Sequence, residues 1–327
     1  MGAINGTTPA KAVPAQMQKP KKGRRMKKIK RYYMLYLMMI PGIAYLIINN
    51  YIPMFGLYLA FKDIDFRKGL WGSDWIGLKN FEFLFKSTDA FIITRNTILY
   101  NLAFIVINTF LAVAVAILLN EIVSVRRVKI YQSLILLPYL ISMVVVAYLV
   151  LAFLDAKGFI NSSLITGLFG QSEGVGWYSE PGYWPFIIIF VNAWKNIGYL
   201  CVIYYASIIG IDTEYYEAAN LDGATMLQRV RYITVPLIKP TIITMVLLSI
   251  GRMFYSDFGL FYQVPMDSGA LYPTTNVIDT YVYRALIKLS DIGMASAAGV
   301  YQSVIGFIVV LVSNLVVRRI DKDNALF

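Results

Sequence analysis

The chain has 327 residues, of which 58% are hydrophobic and 15% charged, and its mean hydropathy is +0.60. Soluble domains carry about a quarter of their residues as charged side chains, so this composition predicts an integral membrane protein. Histidine is absent, Cys201 is the one cysteine, and no Gly-x-x-x-x-Gly-Lys-Ser/Thr phosphate loop occurs. These features argue against histidine catalysis, cysteine-rich zinc sites, disulfide frameworks and an ATP-binding loop.

The net charge of +11 is concentrated at the N-terminus. Residues 1–62 contain 11 of the 30 basic residues and none of the 19 acidic ones, so the rest of the chain is neutral. Most of these cations lie in the run 19–31, directly before the first apolar segment. That position is typical of a topology anchor beside anionic lipid, and not of a nucleic-acid site. We therefore predict a basic, largely disordered cytoplasmic tail over residues 1–31 and no cleavable signal.

Six apolar segments are long enough to cross a bilayer, which takes roughly 20 helical residues. They lie at about 33–60, 95–119, 130–154, 183–210, 238–262 and 294–317. Basic residues flank the N-terminus, the second and fourth loops and the C-terminus, which predicts six spans with both ends in the cytoplasm. The first outer loop contradicts this pattern with five cations, which are Lys62, Arg67, Lys68, Lys79 and Lys86. The alternation of the spans and the stronger run of basic residues at the N-terminus outweigh the cations of this loop.

The segments between these landmarks give the expected organisation of the chain. Residues 32–94 comprise the first transmembrane helix and an outer amphipathic loop, in which residues 75–85 predict a short helix. That helix either lies at the membrane interface or packs against the bundle. Residues 95–320 hold the other five spans, and residues 321–327 form a cytoplasmic C-terminus.

The loop at 211–236 is polar and lies between the fourth and fifth spans. Asp212 or Thr213 can cap a first helix, and Gly223 suits the left-handed residue that ends it. A second helix has one apolar face, formed by Met226, Val230 and Ile233. Pro236 and Pro240 are expected to mark the entry to the fifth span. The pattern predicts two short helices joined by a turn, and the simplest role for them is a surface hairpin that ties two spans together.

The spacing within this loop resembles a known signature. Glu217-Ala-Ala is followed after three residues by Gly223, and after nine more by Ile233-x-Val-Pro236. This resembles the Glu-Ala-Ala, Gly, Ile-x-Leu-Pro signature of permease subunits in bacterial ATP-binding-cassette importers, with Val235 in place of leucine. Other runs resemble the subgroup that imports oligosaccharides in Bacillus-like bacteria, and they lie at 40–42, 212–217, 257–262 and 277–284.

The resemblance implies an all-α, type I importer permease fold of the maltose-permease kind. It implies that the loop is a coupling helix that docks on a separate ATPase subunit. The residues that it assigns to this contact are Glu217, Ala218, Ala219, Asp222, Gly223, Ile233 and Pro236. The expected partners are a second homologous permease, an ATPase dimer that holds ATP and Mg, an extracytoplasmic solute-binding lipoprotein and a carbohydrate, with no cofactor in this chain. The expected location is the bacterial cytoplasmic membrane.

Polar side chains inside spans are costly in lipid and therefore mark a candidate substrate pathway. The fourth and fifth spans supply Asn192, Trp194, Lys195, Asn196, Tyr199, Arg252, Tyr255 and Asp257. Amides and charges can bind sugar hydroxyls, aromatic faces can stack on sugar rings, and Lys195 and Arg252 are candidate contacts for uronates. The alternatives are an internal ion pair to Asp257 and tyrosines in the interfacial belt.

Two further features leave alternatives open. The sixth span has a face of small residues, Ala295, Gly299, Ser303 and Gly306, which serves either a subunit interface or packing within the chain. An ion-coupled secondary sugar transporter is the main rival function, but we find no convincing internal repeat, and Asp257 is the one obvious acid within a span. A membrane-embedded enzyme is disfavoured because histidine and clustered carboxylates are missing.

Overall fold

The computed structural model describes residues 31–82, 86–168 and 174–320. Except for Arg31, the predicted basic tail lies outside the described residues, as does the predicted C-terminal segment 321–327. Contacts divide the chain into two units, residues 1–55 and 56–327.

The first unit is helical throughout its described part. Helix α1 (Tyr33–Leu46) includes Pro41 without interruption and is followed by a π turn, Ile47–Tyr51, and by α2 (Ile52–Met54). No residue of α1 is buried within the chain. An apolar helix without buried residues is expected where lipid or another subunit covers its surface.

A 3₁₀ segment, Phe55–Phe61, leads into the second unit, which continues with a small hairpin. Strands β1 (Lys62–Asp63) and β2 (Asp74–Trp75) pair antiparallel, with α3 (Gly69–Gly72) between them. The helix predicted over 75–85 is therefore wrong across its described part, where only Lys79–Phe81 is helical, as a 3₁₀ turn. The reason is local: Gly77 has a φ of +62°, which ends any regular helix, and the Trp75 ring stacks on Phe61 at 5.4 Å.

Local contacts in this hairpin and just after it involve three of the cations that contradict the charge pattern. Lys62 is 3% exposed and its ammonium donates to the Trp71 carbonyl. Lys68 pairs with Asp74 at 2.5 Å and Lys86 with Glu82 at 2.6 Å. Three of the five positive charges are thus satisfied locally, which weakens their value as topology signals.

The remaining helices follow in chain order. They are α4 (Thr88–Asn120), α5 (Val125–Leu140), α6 (Met143–Leu154), α7 (Trp184–Ile209), α8 (Thr213–Leu221), α9 (Met226–Arg229), α10 (Val235–Ile250), α11 (Phe258–Gln263), α12 (Tyr272–Thr275), α13 (Ile278–Lys288) and α14 (Ile292–Ile320). Five helices of the described residues are long and apolar enough to cross a membrane, and α5 with α6, bent by 93°, makes a sixth. The six-span prediction is confirmed.

The fifth span differs from its prediction at both ends. The helical run begins at Met226, continues through a π turn at Val230–Thr234 into α10, and ends at Ile250 instead of 262. Pro236 lies in the first turn of α10, so the prolines do not separate the loop from the span. Beyond Ile250 the chain turns and then restarts as α11, because the Asp257 carboxylate caps the new helix by accepting from the Leu260 amide at 3.1 Å.

Two buried clusters hold the bundle together at different levels of α4. The outer cluster joins Tyr100 and Phe104 of α4 to α6, α7 and α11. The inner cluster joins Ala112, Ala116 and Leu119 of α4 to α7 and α10 through Cys201, Tyr204, Ile208 and Ile238. Small side chains at successive turns of α4 allow α7 to approach closely. The level of α4 between the clusters carries Asn108 and Thr109.

The small-residue face of α14 is shared between two environments. Ala295 is buried, and a Cβ added to Gly306 would meet Phe254 of the same chain. A Cβ added to Gly299 would meet no heavy atom within 4 Å among the described residues, and Ser303 is exposed. Packing within the chain therefore accounts for only part of this face.

Candidate functional site

A polar cleft opens where α10 ends, between α4, α7 and the turn that follows Ile250. Its larger part has a volume of about 760 Å³, and an adjoining cavity of about 190 Å³ extends it along α4. The larger part is lined by Asn101, Phe104, Asn192, Asn196, Gly251, Arg252, Tyr255, Ser256 and Asp257. Five of the eight residues predicted for the pathway are therefore brought together here.

Amide side chains form the wall on the α4 and α7 side. The Asn108 amide donates to the Asn192 side-chain oxygen at 2.8 Å, and both residues are buried. The side-chain amide of Asn196 donates to the Asn192 carbonyl at 2.9 Å. Within the described residues, the Asn108 side-chain oxygen and the Ser256 hydroxyl have no hydrogen-bond partner. Buried polar atoms normally have partners, so both groups have unused hydrogen-bonding capacity beside the cleft.

Arg252 and Asp257 both face this cleft, but they do not pair with each other. Among the described residues no acidic side chain forms a salt bridge with Arg252, whereas the Asp257 carboxylate caps α11. The internal ion pair weighed from the sequence is thus not formed. Arg252 is an exposed cation at the break in the fifth span.

The α4 contribution was missed by the sequence reasoning, which considered only the fourth and fifth spans. Asn101, Phe104 and Asn108 lie at i, i+3 and i+7 and so share one face of the helix. The signal was present, because an asparagine inside a long apolar helix is as costly in lipid as one in the fourth span.

Three predicted pathway residues face elsewhere. Lys195 donates to the carbonyls of Pro138, Tyr139 and Ile141, at 3.3, 3.2 and 2.5 Å. These carbonyls lie at the bend between α5 and α6, where helical partners are lost, so the ammonium serves as a helix cap. The contact of Lys195 with an acidic sugar stays a prediction, and the structure gives this ammonium a helix-capping role.

The two aromatic residues also lie outside the cleft. Tyr199, one turn after Lys195, stacks on Tyr139 with ring centroids 4.9 Å apart. Trp194 lines an apolar groove with side chains of α6 and α7 instead. The helical period explains the division, since Asn192 and Asn196 share the cleft face of α7 and Lys195 and Tyr199 share the α5 face.

The loop between α7 and α10 has the helix–turn–helix shape that its sequence predicts. Asp212 caps α8 by accepting from the Glu214 amide at 3.1 Å, and Thr225 with Gln228 forms a capping box at the start of α9. Gly223 between them has a φ of +76°, the left-handed conformation expected for this position. We call this segment, residues 211–236, the loop hairpin.

The loop hairpin presents its predicted contact residues outward. Glu217, Ala218, Asp222, Gly223 and Pro236 are exposed, while Ala219 and Ile233 are half-buried. Leu221 and Leu227 are 91% and 76% exposed. Exposed leucines beside small residues are typical of a surface that another protein covers.

Side-chain contacts fix this hairpin to the bundle. The Tyr216 hydroxyl lies 2.9 Å from the Thr234 hydroxyl. The Arg229 guanidinium donates to the Asn220 side-chain oxygen and, at 3.2 Å, to the carboxylate of Glu121 just after α4. The sequence held no signal for the Arg229–Glu121 contact, because the two residues are far apart in the chain.

A second anchor holds the break in the fifth span. The Asp279 carboxylate of α13 accepts from the Ser256 backbone amide at 2.7 Å and from the Gln302 side chain of α14 at 3.2 Å. Burial raises the pKa of this carboxyl above its usual range, against the opposing effect of these hydrogen bonds. Asp279 lies outside the membrane-spanning helices and was not singled out from the sequence.

Comparison with known proteins identifies the family. Residues 90–322 match the model for "binding-protein-dependent transport system inner membrane component". The chain is 32% identical to the polygalacturonan/rhamnogalacturonan transport system permease protein YteP of Bacillus subtilis, over 96% of this chain and 97% of that protein. It is 30% identical to LplB of the same organism, over 91% and 93%.

A solved structure agrees with these matches. A chain from the crystal structure of a bacterial ABC transporter involved in the import of the acidic polysaccharide alginate superposes with a TM-score of 0.82 at 32% identity. The match covers 91% of this chain and 99% of that one. The protein is therefore a multi-pass permease subunit of the type I ABC importer fold and belongs to the family of binding-protein-dependent transport system inner membrane components.

Proposed function

We propose that this permease forms half of the pathway by which an ATP-driven importer carries an oligosaccharide across the bacterial cytoplasmic membrane. The observation that carries the proposal is the cleft at the end of α10, which is lined by amides, aromatic rings and Arg252. Such a lining offers hydrogen bonds to hydroxyl groups and ring faces for stacking. Similarity to permeases named for polygalacturonan/rhamnogalacturonan and lactose transport supports a sugar substrate.

The partners follow from the proposed assembly. A second homologous permease supplies the other half of the pathway, and an extracytoplasmic binding protein delivers the sugar. Two ATPase subunits hold ATP and Mg, since this chain carries no phosphate loop. A related alginate transporter has been crystallised with a pentasaccharide-bound periplasmic protein, which supports the binding protein as a partner.

The loop hairpin is the proposed contact with the ATPase. The exposed Ala218 and half-buried Ala219 permit a close approach, and Glu217 offers a carboxylate to a cationic partner. Asp222, Gly223, Ile233 and Pro236 complete the assigned surface and its turn. Because ligands shift a two-state equilibrium only by binding the two states differently, ATP would act by closing the ATPases and displacing this hairpin.

The cleft also favours one class of sugar. Arg252 has no acidic partner among the described residues, so its guanidinium is free to pair with a carboxylate of the substrate. We propose that uronate-containing oligosaccharides are preferred and that Asp257 faces their hydroxyl groups. The permease similarity to YteP is consistent with this preference.

The test uses proteoliposomes that contain both permeases and the ATPases, with the binding protein supplied outside. We expect ATP-dependent uptake of uronate oligosaccharides in the complete system and none when the ATPases are omitted. Uptake without ATPase, driven by an ion gradient, would favour the secondary-transporter alternative.

Arg252→Gln tests the substrate class separately. The expected result is a rise in the transport KM for a uronate oligosaccharide of about 10-fold, as for a lost charge-assisted hydrogen bond, with little change for a neutral oligosaccharide. Lys195→Gln is a poor control because that residue caps a helix, so Lys129→Gln, at an exposed site near the start of α5, serves instead. An equal loss for both sugars would refute the carboxylate contact but not the importer function.

A further inference from the structure

The loop hairpin is connected to all three helices that line the cleft, but in different ways. Its first helix, α8, follows α7 after a three-residue turn, and its second helix, α9, runs on through a π turn into α10. These two connections are covalent. The third wall of the cleft, α4, is reached through the Arg229–Glu121 contact at its end.

The position of α8 depends strongly on side-chain contacts. None of its nine residues, all within the described part of the chain, is buried. A helix without buried side chains has little packing energy to fix its orientation. It is also flanked by two glycines, Gly210 in the turn after α7 and the left-handed Gly223. The side-chain contacts of α8 therefore matter for its orientation, and the Tyr216–Thr234 contact is one of them.

Arg229 supplies a second contact of this kind, and it also reaches the end of α4. One guanidinium nitrogen donates to Asn220 near the end of α8 and another donates to Glu121, so a single side chain fastens α8, α9 and the end of α4 together. The pair is 22% and 33% exposed, which places it at the edge of the bundle, where removal need not disrupt the core. Below the contact, the inner cluster packs α4, α7 and α10 against one another.

We propose that Arg229 is the positioning residue that makes the loop hairpin rigid, so that displacement of the hairpin moves the α4 wall of the cleft. The proposal rests on the proposed coupling function of the hairpin. Arg229 touches neither sugar nor nucleotide. It acts by converting a push on α8 into a shift of α4, which carries Asn101, Phe104 and Asn108 along one side of the pathway.

The experiment is a charge exchange in the reconstituted transporter. Arg229→Glu and Glu121→Arg are made singly and together, and substrate uptake and ATP hydrolysis are measured on the same proteoliposomes. Each single variant should lower the number of sugars carried per ATP by about 5-fold or more, the lower range of typical allosteric coupling. The double variant should recover most of that ratio, because the ion pair is rebuilt with its ends exchanged. Arg229→Lys, which keeps the charge, should fall between wild type and Arg229→Glu.

Two controls separate this role from a general loss of structure. Lys129→Glu reverses an exposed cation at the same end of the bundle that has no ion pair among the described residues, and it should leave the ratio unchanged. Thermal midpoints of all variants should agree within a few degrees, since a partly exposed ion pair contributes little to stability.

The outcomes are distinguishable. An unchanged ratio for Arg229→Glu, or a double variant as poor as its parents, would overturn the positioning role. A wild-type complex that shows no ATP-driven uptake of any sugar would instead refute the proposed function on which the inference rests.

Discussion

Gly198 of α7 is the position at which the structure predicts the sharpest mutational effect. A Cβ added there would lie 2.1 Å from the carbonyl oxygen of Ile135 and 2.9 Å from the Cα of Leu136, both in α5. Real Cβ atoms do not approach other heavy atoms within 3.0 Å, so the clash amounts to 0.9 Å at the oxygen. Because the obstructing atoms belong to the backbone, no side-chain rotation relieves it, and α5 and α7 must separate.

The separation has a second cost one turn away. Lys195 holds the Pro138 and Tyr139 carbonyls at 3.3 and 3.2 Å, and a shift of about 1 Å lengthens both contacts beyond hydrogen-bond range. Overpacking of a tight contact costs roughly 1–3 kcal/mol, and loss of bonds to a charged group adds about 1 kcal/mol or more. The better helix propensity of alanine offsets about 1 kcal/mol. The expected net destabilisation for Gly198→Ala is therefore about 2 kcal/mol.

The assay compares apparent unfolding midpoints in nanodiscs by intrinsic fluorescence. A loss of about 2 kcal/mol corresponds to roughly 3 °C for a chain of this size. Gly299→Ala in α14 is the matched control, because its added Cβ meets no heavy atom within 4 Å among the described residues. Equal midpoints for the two variants would refute the argument that α5 and α7 are in backbone contact at Gly198.

Two other predictions test the loop hairpin and the buried carboxylate. The Gly223→Val permease should insert normally, but its transporter should hydrolyse ATP with little sugar uptake, because a φ of +76° costs a β-branched residue about 1–2 kcal/mol or more. Gly269→Val is the control, since Gly269 has open space around it and an ordinary φ, and it should transport normally. The pKa of the Asp279 carboxyl is raised in the folded chain, so between the usual aspartate pKa and this raised pKa the folded chain keeps the carboxyl proton and the unfolded chain loses it. The stability of the fold therefore falls as pH rises through that range. Asp279→Asn should remove this fall in midpoint-against-pH scans, and a variant that keeps the wild-type slope would contradict the assignment.

Much of the fold was predictable because it depends on local patterns. Runs of about 20 apolar residues must become helices in lipid, where every backbone amide needs an internal partner. The turn at Gly223 was equally predictable, since glycine tolerates a left-handed conformation that ends a helix. Local sequence patterns gave the wrong end for the fifth span, because a residue far away in the chain helps to hold the break. The fifth span stops at Ile250, and its break is held by Asp279 of α13 and capped by Asp257.

The amino-acid sequence by itself determined the class of protein, the number of spans, the shape of the loop hairpin and five of the residues that line the cleft. Tertiary structure alone decided which polar residues meet. Asn192 and Lys195 are three positions apart on one helix, yet the first faces the cleft and the second caps the bend between α5 and α6. Arg229 and Glu121 meet because the end of α4 returns to the hairpin. The physical reason is that the helical period and the chain topology determine which side chains come into contact. The cost of a charge in lipid and the spacing of a motif both mark a residue as important, but neither specifies which residue it contacts.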